Sequence, residues 1–146
     1  MKPTATAGYS GKPLAEKLGI IAGMTIIAIG APQNYRTLLG PLPKGARIDT
    51  RPRGAGRGAR DFIHCFATAR RTLAARFPAL ARSLSPAGAL WVSWPKGAAR
   101  VATDLTENVV REIGLTRGVV DVKVCAVDET WSALKFVRRV KDRKQR

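Results

Sequence analysis

The chain has 146 residues, a length that suits one domain with one core. Hydrophobic residues make up 45% of it, an ordinary globular share. No apolar stretch approaches the ~20 residues that a membrane helix needs, so no membrane partner is expected. The formal charge of +16 bears on partners and solubility rather than on fold.

The opening segment, MKPTATAGYSGKP, has no apolar h-region, so no secretory signal is read there and the cytoplasm is the expected location. Residues 11–18 predict a short helix, with Ser10 as N-cap and Gly19 as the C′ residue. The apolar run 24–29 ends at Gly30 and suits a central parallel strand covered on both faces. Pro32 fits the first turn of a following helix that stops near Gly40 and Pro41. Residues 46–50 predict a weaker, edge-like strand.

The stretch RPRGAGRGAR at 51–60 is the clearest loop in the chain. A second buried strand follows at 61–67. Leu73, Phe77, Leu80 and Leu84 mark a helix over 69–83, in which Pro78 should kink or split the rod. Residues 85–88 predict a turn, and 89–94 a third buried strand stopped by Pro95. Thr103 and Asp104 should open the next helix, with Asp104 and Glu107 in a capping-box spacing and Gly114 or Gly118 at its end. Strands at 119–127 and 131–140 flank the turn Asp128-Glu129-Thr130, a connection so tight that they must be antiparallel. From Lys141 the tail is polar, and it and residues 1–9 are expected to be flexible.

The basic charge is unevenly spread. Residues 51–85 carry eight arginines and one acid, Asp61, while 135–146 carry seven basic residues and one acid, Asp142. Such segments attract polyanions through phosphate neutralisation and counterion release. Arg51, Arg53, Arg57 and Arg60, on a loop without acids of its own, are candidates for weak, nonspecific nucleic-acid contact.

Strands alternating with helices and ending in a hairpin imply a doubly wound, mostly parallel α/β sheet with one antiparallel strand. A right-handed crossover after the first strand and a return past it to the third begin the strand order 2-1-3-4.

The terminal hairpin resembles that of the class I methyltransferase fold, a Rossmann-like architecture. That resemblance implies that the last strand inserts between the fourth and fifth, giving six strands in the order 2-1-3-4-6-5. More closely, the chain resembles an uncharacterised bacterial family, the domain of unknown function numbered 3052. The segments that carry this are AGYSGKPLAEKLGI, IGAP at 29–32, LLGPLP at 38–43, LWVSWPKGA at 90–98, TDLTENVVRE at 103–112 and VDVKVCAVDETWSALKFVRR at 120–139. They span most of residues 7–140 and imply the fold but no activity.

The methyltransferase likeness implies S-adenosylmethionine as cofactor, and one feature argues against it. Those enzymes follow the first strand with a Gly-rich turn, whereas here Gly30-Ala31-Pro32-Gln33-Asn34-Tyr35 keeps one glycine and adds a proline. Asp49 stands near the place of the acid that usually holds the ribose. The link from the second strand to Asp61 is too short for the usual helix.

No catalytic constellation is recognisable. His64, the only histidine, neighbours Cys65, but adjacent strand residues face opposite sides of a sheet and cannot form a dyad. A buried, hydrogen-bonded imidazole and buried, reduced thiols at Cys65 and Cys125 are the expectation. Asp128 and Glu129 sit at a hairpin tip, and neither a metal-ligand cluster nor a P-loop is present.

In open α/β sheets, ligands bind beyond the C-terminal ends of the strands, near a switch in strand order. Gly30, Ala31, Pro32, Thr68, Ser93, Trp94, Lys96 and Thr103 fall there. Trp94 offers a stacking face, Lys96 a positive charge, Thr68 and Ser93 hydroxyls, and the helix start near Thr103 free N–H groups. The expected function is a non-catalytic module that binds a nucleotide or another small anion at this rim. A methyltransferase and a nonspecific nucleic-acid-associated protein are the alternatives.

Overall fold

The computed structural model describes residues 11–143. Ser10, the flexible start expected at 1–9 and the end of the tail at 144–146 lie outside the described residues. In chain order the elements are α1 (Leu14–Leu18), β1 (Thr25–Ile29), α2 (Tyr35–Leu39), β2 (Arg47–Asp49) and β3 (Arg60–Phe66). There follow α3 (Arg70–Ser83), β4 (Leu84–Pro95), α4 (Glu107–Leu115), β5 (Val119–Ala126) and β6 (Trp131–Arg138).

One sheet runs through the molecule in the order β2-β1-β3-β4-β6-β5. The first four strands are parallel, and β6 lies antiparallel to both β4 and β5. The last strand therefore inserts into the sheet and leaves β5 at the edge, as the strand order expected from the sequence requires.

The apolar runs of β1, β3 and β4 divide residue by residue between two cores, because successive strand side chains face opposite sides. Ile27, Ile63, Cys65, Val92 and Trp94 pack with Leu73 and Phe77 of α3 and Val110 of α4. Ile26, Ala28, Phe62, Phe66 and Trp91 pack with Leu14 and Leu18 of α1 and Leu39 of α2. A strand between two helical layers has no polar face, which is why these runs do not alternate. Among the described residues no helix is long and apolar enough to cross a membrane.

Several boundaries differ from the sequence expectation. Pro32 does not open α2. Its carbonyl accepts the Tyr35 N–H at 3.0 Å, in a turn that leads into the helix. Pro78 neither splits nor ends α3, which runs unbroken from Arg70 to Ser83. The carbonyl that proline leaves without its helical donor belongs to Ala74, an exposed position open to solvent.

Residues 85–88 form no separate turn. They lie within β4, where Leu84 pairs with Arg60 and Ala89 with Phe62, so extra residues of β4 bulge out of the ladder. Ser85 fastens the bulge by donating its hydroxyl to Asp61 at 2.6 Å. The helix end just before it is closed from a distance. The Arg138 guanidinium of β6 donates to the carbonyls of Ala81 at 2.7 Å and Leu84 at 2.5 Å.

The helix expected from Thr103 begins later, at Glu107. Its N-cap is Thr106, whose hydroxyl accepts the Val109 N–H at 3.2 Å. Asp104 is no capping-box residue here. Its carboxylate accepts the Arg70 N–H at 2.7 Å and so caps the neighbouring helix α3. Arg111 holds α4 on β5 through Asp121 at 2.8 Å, and this bond keeps the Asp121 carboxyl below its usual pKa. Beyond β6, residues Val140–Asp142 form a 3-10 turn, closed by the Arg139–Asp142 ion pair at 2.9 Å.

Gly114 marks the tightest helix–sheet contact. A Cβ there would lie 2.2 Å from the buried ring of Phe136. Gly114→Ala should therefore destabilise the fold by about 1–3 kcal/mol in chemical denaturation, overpacking outweighing the better helix propensity of alanine. An unchanged or raised denaturation midpoint would show that α4 moves off the sheet freely.

Candidate functional site

The C-terminal ends of β1, β2, β3 and β4 share one rim, because the four strands are parallel. The strand order reverses between β1 and β3, and Gly30 sits there. Its φ of +69° suits glycine, and an added Cβ would lie 2.7 Å from the Phe66 carbonyl oxygen at the end of β3. The same carbonyl receives an N–H from Arg76 of α3 at 3.5 Å, so a guanidinium stands over the switch point.

Two clefts open on either side of this point. On the α2 side, about 560 Å³ is enclosed by Gly30, Ala31, Pro32, Gln33, Arg36 and Thr50, with Ala28, Tyr35 and Ile48 behind them. On the α3 side, about 400 Å³ lies among Gly30, Thr50, Arg53, Gly54, Arg60 and Arg76, with Ile29 and Leu80 beneath. Both volumes fall in the range of small-molecule sites. Gly30 and Thr50 belong to both linings. The linings together carry Arg36, Arg53, Arg60 and Arg76 and no acid. A third hollow, of about 420 Å³, lies at the opposite rim, and its lining holds both Arg60 and Asp61.

The second cleft exists because residues 51–59 carry no helix. The loop leaves β2 with the Arg51 N–H on the Asp49 carboxylate at 3.0 Å. It reaches the end of α3, where the Gly58 N–H meets the Arg82 carbonyl at 2.9 Å, and the Arg60 guanidinium donates back to the Arg53 carbonyl.

The wall of the first cleft is braced from inside the sheet. His64 of β3 is fully buried between the Tyr35 hydroxyl at its Nδ1 and the Ser93 hydroxyl at its Nε2, each at 2.7 Å. Its ring stacks on Phe66 with centroids 4.3 Å apart. Burial lowers its pKa to about 3, so the ring is neutral and donates one hydrogen bond while accepting the other. A serine hydroxyl on an imidazole is the geometry of an activated nucleophile. Here both groups are sealed from solvent and the imidazole is far too weak a base at neutral pH, so the chain of three acts as structure. Burial likewise pushes the Tyr35 hydroxyl upward. Cys65 faces the other core, as expected of the residue next to His64. Its thiol is raised by burial, against an opposing pull from Arg76. Both cysteines are buried and unpaired.

The rim residues expected from sequence do not all converge. Gly30, Ala31 and Pro32 line the first cleft. Thr68 and Thr103 do meet, the Thr103 hydroxyl donating to the Thr68 carbonyl at 2.6 Å and accepting the Leu105 N–H at 3.0 Å. Ser93 is engaged with His64, and Trp94 packs in the core shared by α3 and α4. Lys96 stands near Cys125 with Lys17 and Lys123, on the hairpin side. Thr50, Arg36 and Arg76 were not singled out from the sequence. Nothing in their local pattern marks them, since only the packing of α2 and α3 brings them to Gly30.

No family model and no curated protein matches the chain, so the resemblance to family 3052 has no support from a family model. Solved structures do match. An S-adenosylmethionine-dependent methyltransferase from Aquifex aeolicus superposes with a TM-score of 0.55 at 13% identity, over 83% of this chain and 85% of the other. A TehB-like S-adenosylmethionine-dependent methyltransferase from Corynebacterium glutamicum gives 0.57 at 12% identity, over 86% and 85%. Geranyl diphosphate C-methyltransferase from Streptomyces coelicolor, solved with S-adenosylhomocysteine, gives 0.57 at 10%, over 86% and 75%. The fold is methyltransferase-like. At these identities the likeness concerns architecture alone.

His64 makes the acid response of the fold readable. Its folded pKa lies below the unfolded value near 6.5, so the unfolded chain binds the extra proton and stability falls as the pH drops from about 6.5 toward 3. Urea unfolding at neutral pH and at about pH 5 should show the wild type losing ~1–2 kcal/mol more than His64→Gln. An imidazole C2-proton shift that titrates near 6.5 in the native protein would contradict the assignment.

Proposed function

We propose that the chain binds a small anionic ligand, a nucleotide or similar phosphorylated molecule, at the C-terminal rim around Gly30, and performs no chemistry of its own on it. What carries the reading is the paired clefts that meet at Gly30 and Thr50, lined by four arginines and no acid. Arginine presents a planar fork of donors that matches phosphate oxygens. The phosphate belongs beside Arg53 and Arg76, and the rest of the ligand against Ala31, Pro32 and Arg36. A ligand long enough to cross the end of β3 approaches Thr68 and Thr103, whose carbonyl and side chain meet there.

The same lining fits S-adenosylmethionine poorly. That cofactor carries a sulfonium cation, and four guanidinium groups oppose it where no carboxylate is at hand. Asp49, the residue placed where a ribose-binding acid would stand, lines neither cleft and already accepts the Arg51 N–H. A methyltransferase is nevertheless the second reading, favoured by a likeness in fold to enzymes of that class over more than four-fifths of each chain.

Isothermal titration with ATP, AMP, S-adenosylmethionine and S-adenosylhomocysteine separates the two. ATP should bind, and Arg76→Gln should weaken it by about 1–3 kcal/mol through loss of a charge-assisted contact. Lys96→Ala should do the same only for a ligand that spans the rim. Tighter binding of S-adenosylmethionine than of ATP, insensitive to Arg76→Gln, would replace this reading with the second.

A further inference from the structure

We infer that the face formed by α3 and the 51–59 loop docks the phosphate backbone of duplex nucleic acid without reading its bases. Residues 51–82 hold eight arginines and no lysine. Folding brings the loop alongside α3, where its Gly58 N–H bonds the Arg82 carbonyl and Arg53, Arg60 and Arg76 line one cleft. Seven of the eight are exposed, and Arg60 is half-buried. Among the described residues the ion pairs belong to Arg111 and Arg139, and none of the eight takes part in one. The acids nearest them in the chain are turned to other tasks. Asp49 accepts the Arg51 backbone N–H, Asp61 the Ser85 hydroxyl and Asp104 the Arg70 backbone N–H.

The chemistry of the face selects the partner. A membrane surface would be met by an apolar flank that enters the headgroups. The large apolar side chains exposed among the described residues are Ile21, Val101, Leu115, Val122, Val124 and Val140, and none belongs to this stretch. Single strands are held by bases stacked on exposed aromatic rings, but the aromatic residues here, Phe62, Phe66 and Phe77, are buried. What remains is a set of solvated guanidinium groups, which suits the dense charge of a duplex, about one phosphate per 1.7 Å of axis. With no side chain set to reach base edges, affinity comes from phosphates and not from sequence.

Fluorescence anisotropy with a labelled mixed-sequence duplex tests this. About five neutralised phosphates should give a slope near −4.5 for log affinity against log salt. Replacing Arg57, Arg71 and Arg82 by Gln together should lower affinity about tenfold or more at low salt and make the slope shallower by roughly 2–3. A control that replaces Arg117, Lys123 and Lys135 by Gln removes the same charge near the far edge of the sheet. It should stay within about twofold of wild type if the face, rather than net charge, is responsible. Thermal melts of both variants report whether they fold. Equal losses in the two variants, a salt-independent affinity, or tighter binding to vesicles of anionic lipid than to duplex would each overturn the inference. Arg57, Arg71 and Arg82 line neither rim cleft, so this result and the ATP titration succeed or fail independently.

Discussion

A polar ring buried at the centre of the sheet constrains much of this molecule. His64 lies on β3, which pairs with β1 on one side and β4 on the other, and its side chain is fully out of solvent. A buried imidazole with an unpaired nitrogen is costly, so both ring nitrogens must find partners. They find them on two other elements, Tyr35 on α2 and Ser93 on β4. This requirement ties α2 to the sheet alongside the packing of Leu38 and Leu39. Tyr35 and Arg36 then stand where they wall the cleft beside Gly30. The cleft wall thus depends on a residue that does not line it.

The second governing feature is a substitution of loop for helix. The crossover from β2 to β3 passes β1, and in this chain only residues 50–59 are available to make it. A short, Gly-rich crossing leaves space beside α3. Into that space project arginines from both loop and helix, and it becomes the second cleft. The same economy of chain concentrates charge on one face. Long-range bonds compensate for what the short connections omit. Arg138 closes the end of α3 from β6, and Asp104 caps the start of α3 from the segment before α4.

A methyltransferase-like sheet therefore carries a rim whose chemistry differs from what that fold usually serves. The architecture supplies parallel strand ends and a switch point, a place where a ligand can sit. The side chains decide which ligand, and here they are cationic donors around a single glycine. Fold and site are separable, so the methyltransferase-like sheet does not by itself choose the ligand.

The sequence by itself determined the layering and the strand count. Runs such as Thr25-Ile26-Ile27-Ala28-Ile29 and Leu90-Trp91-Val92, apolar on both faces, have no stable home except between two helical layers. The hairpin at Asp128 follows from a turn too short for a parallel return, and Asp128 duly accepts the Thr130 and Trp131 N–H groups at 2.8 Å each. The buried, hydrogen-bonded state of His64 was also legible, since a lone histidine within an apolar strand must be paired and desolvated. The start of α4 and the fate of 85–88 were not, because they rest on bonds between residues far apart in the chain, such as Asp104 with Arg70 and Arg60 with Leu84. The site divides in the same way. Gly30, Ala31 and Pro32 were readable from a strand ending at glycine. Thr50, Arg36, Arg53 and Arg76 join them only through packing, because local patterns record which way a helix faces but not which strand end its long side chains reach.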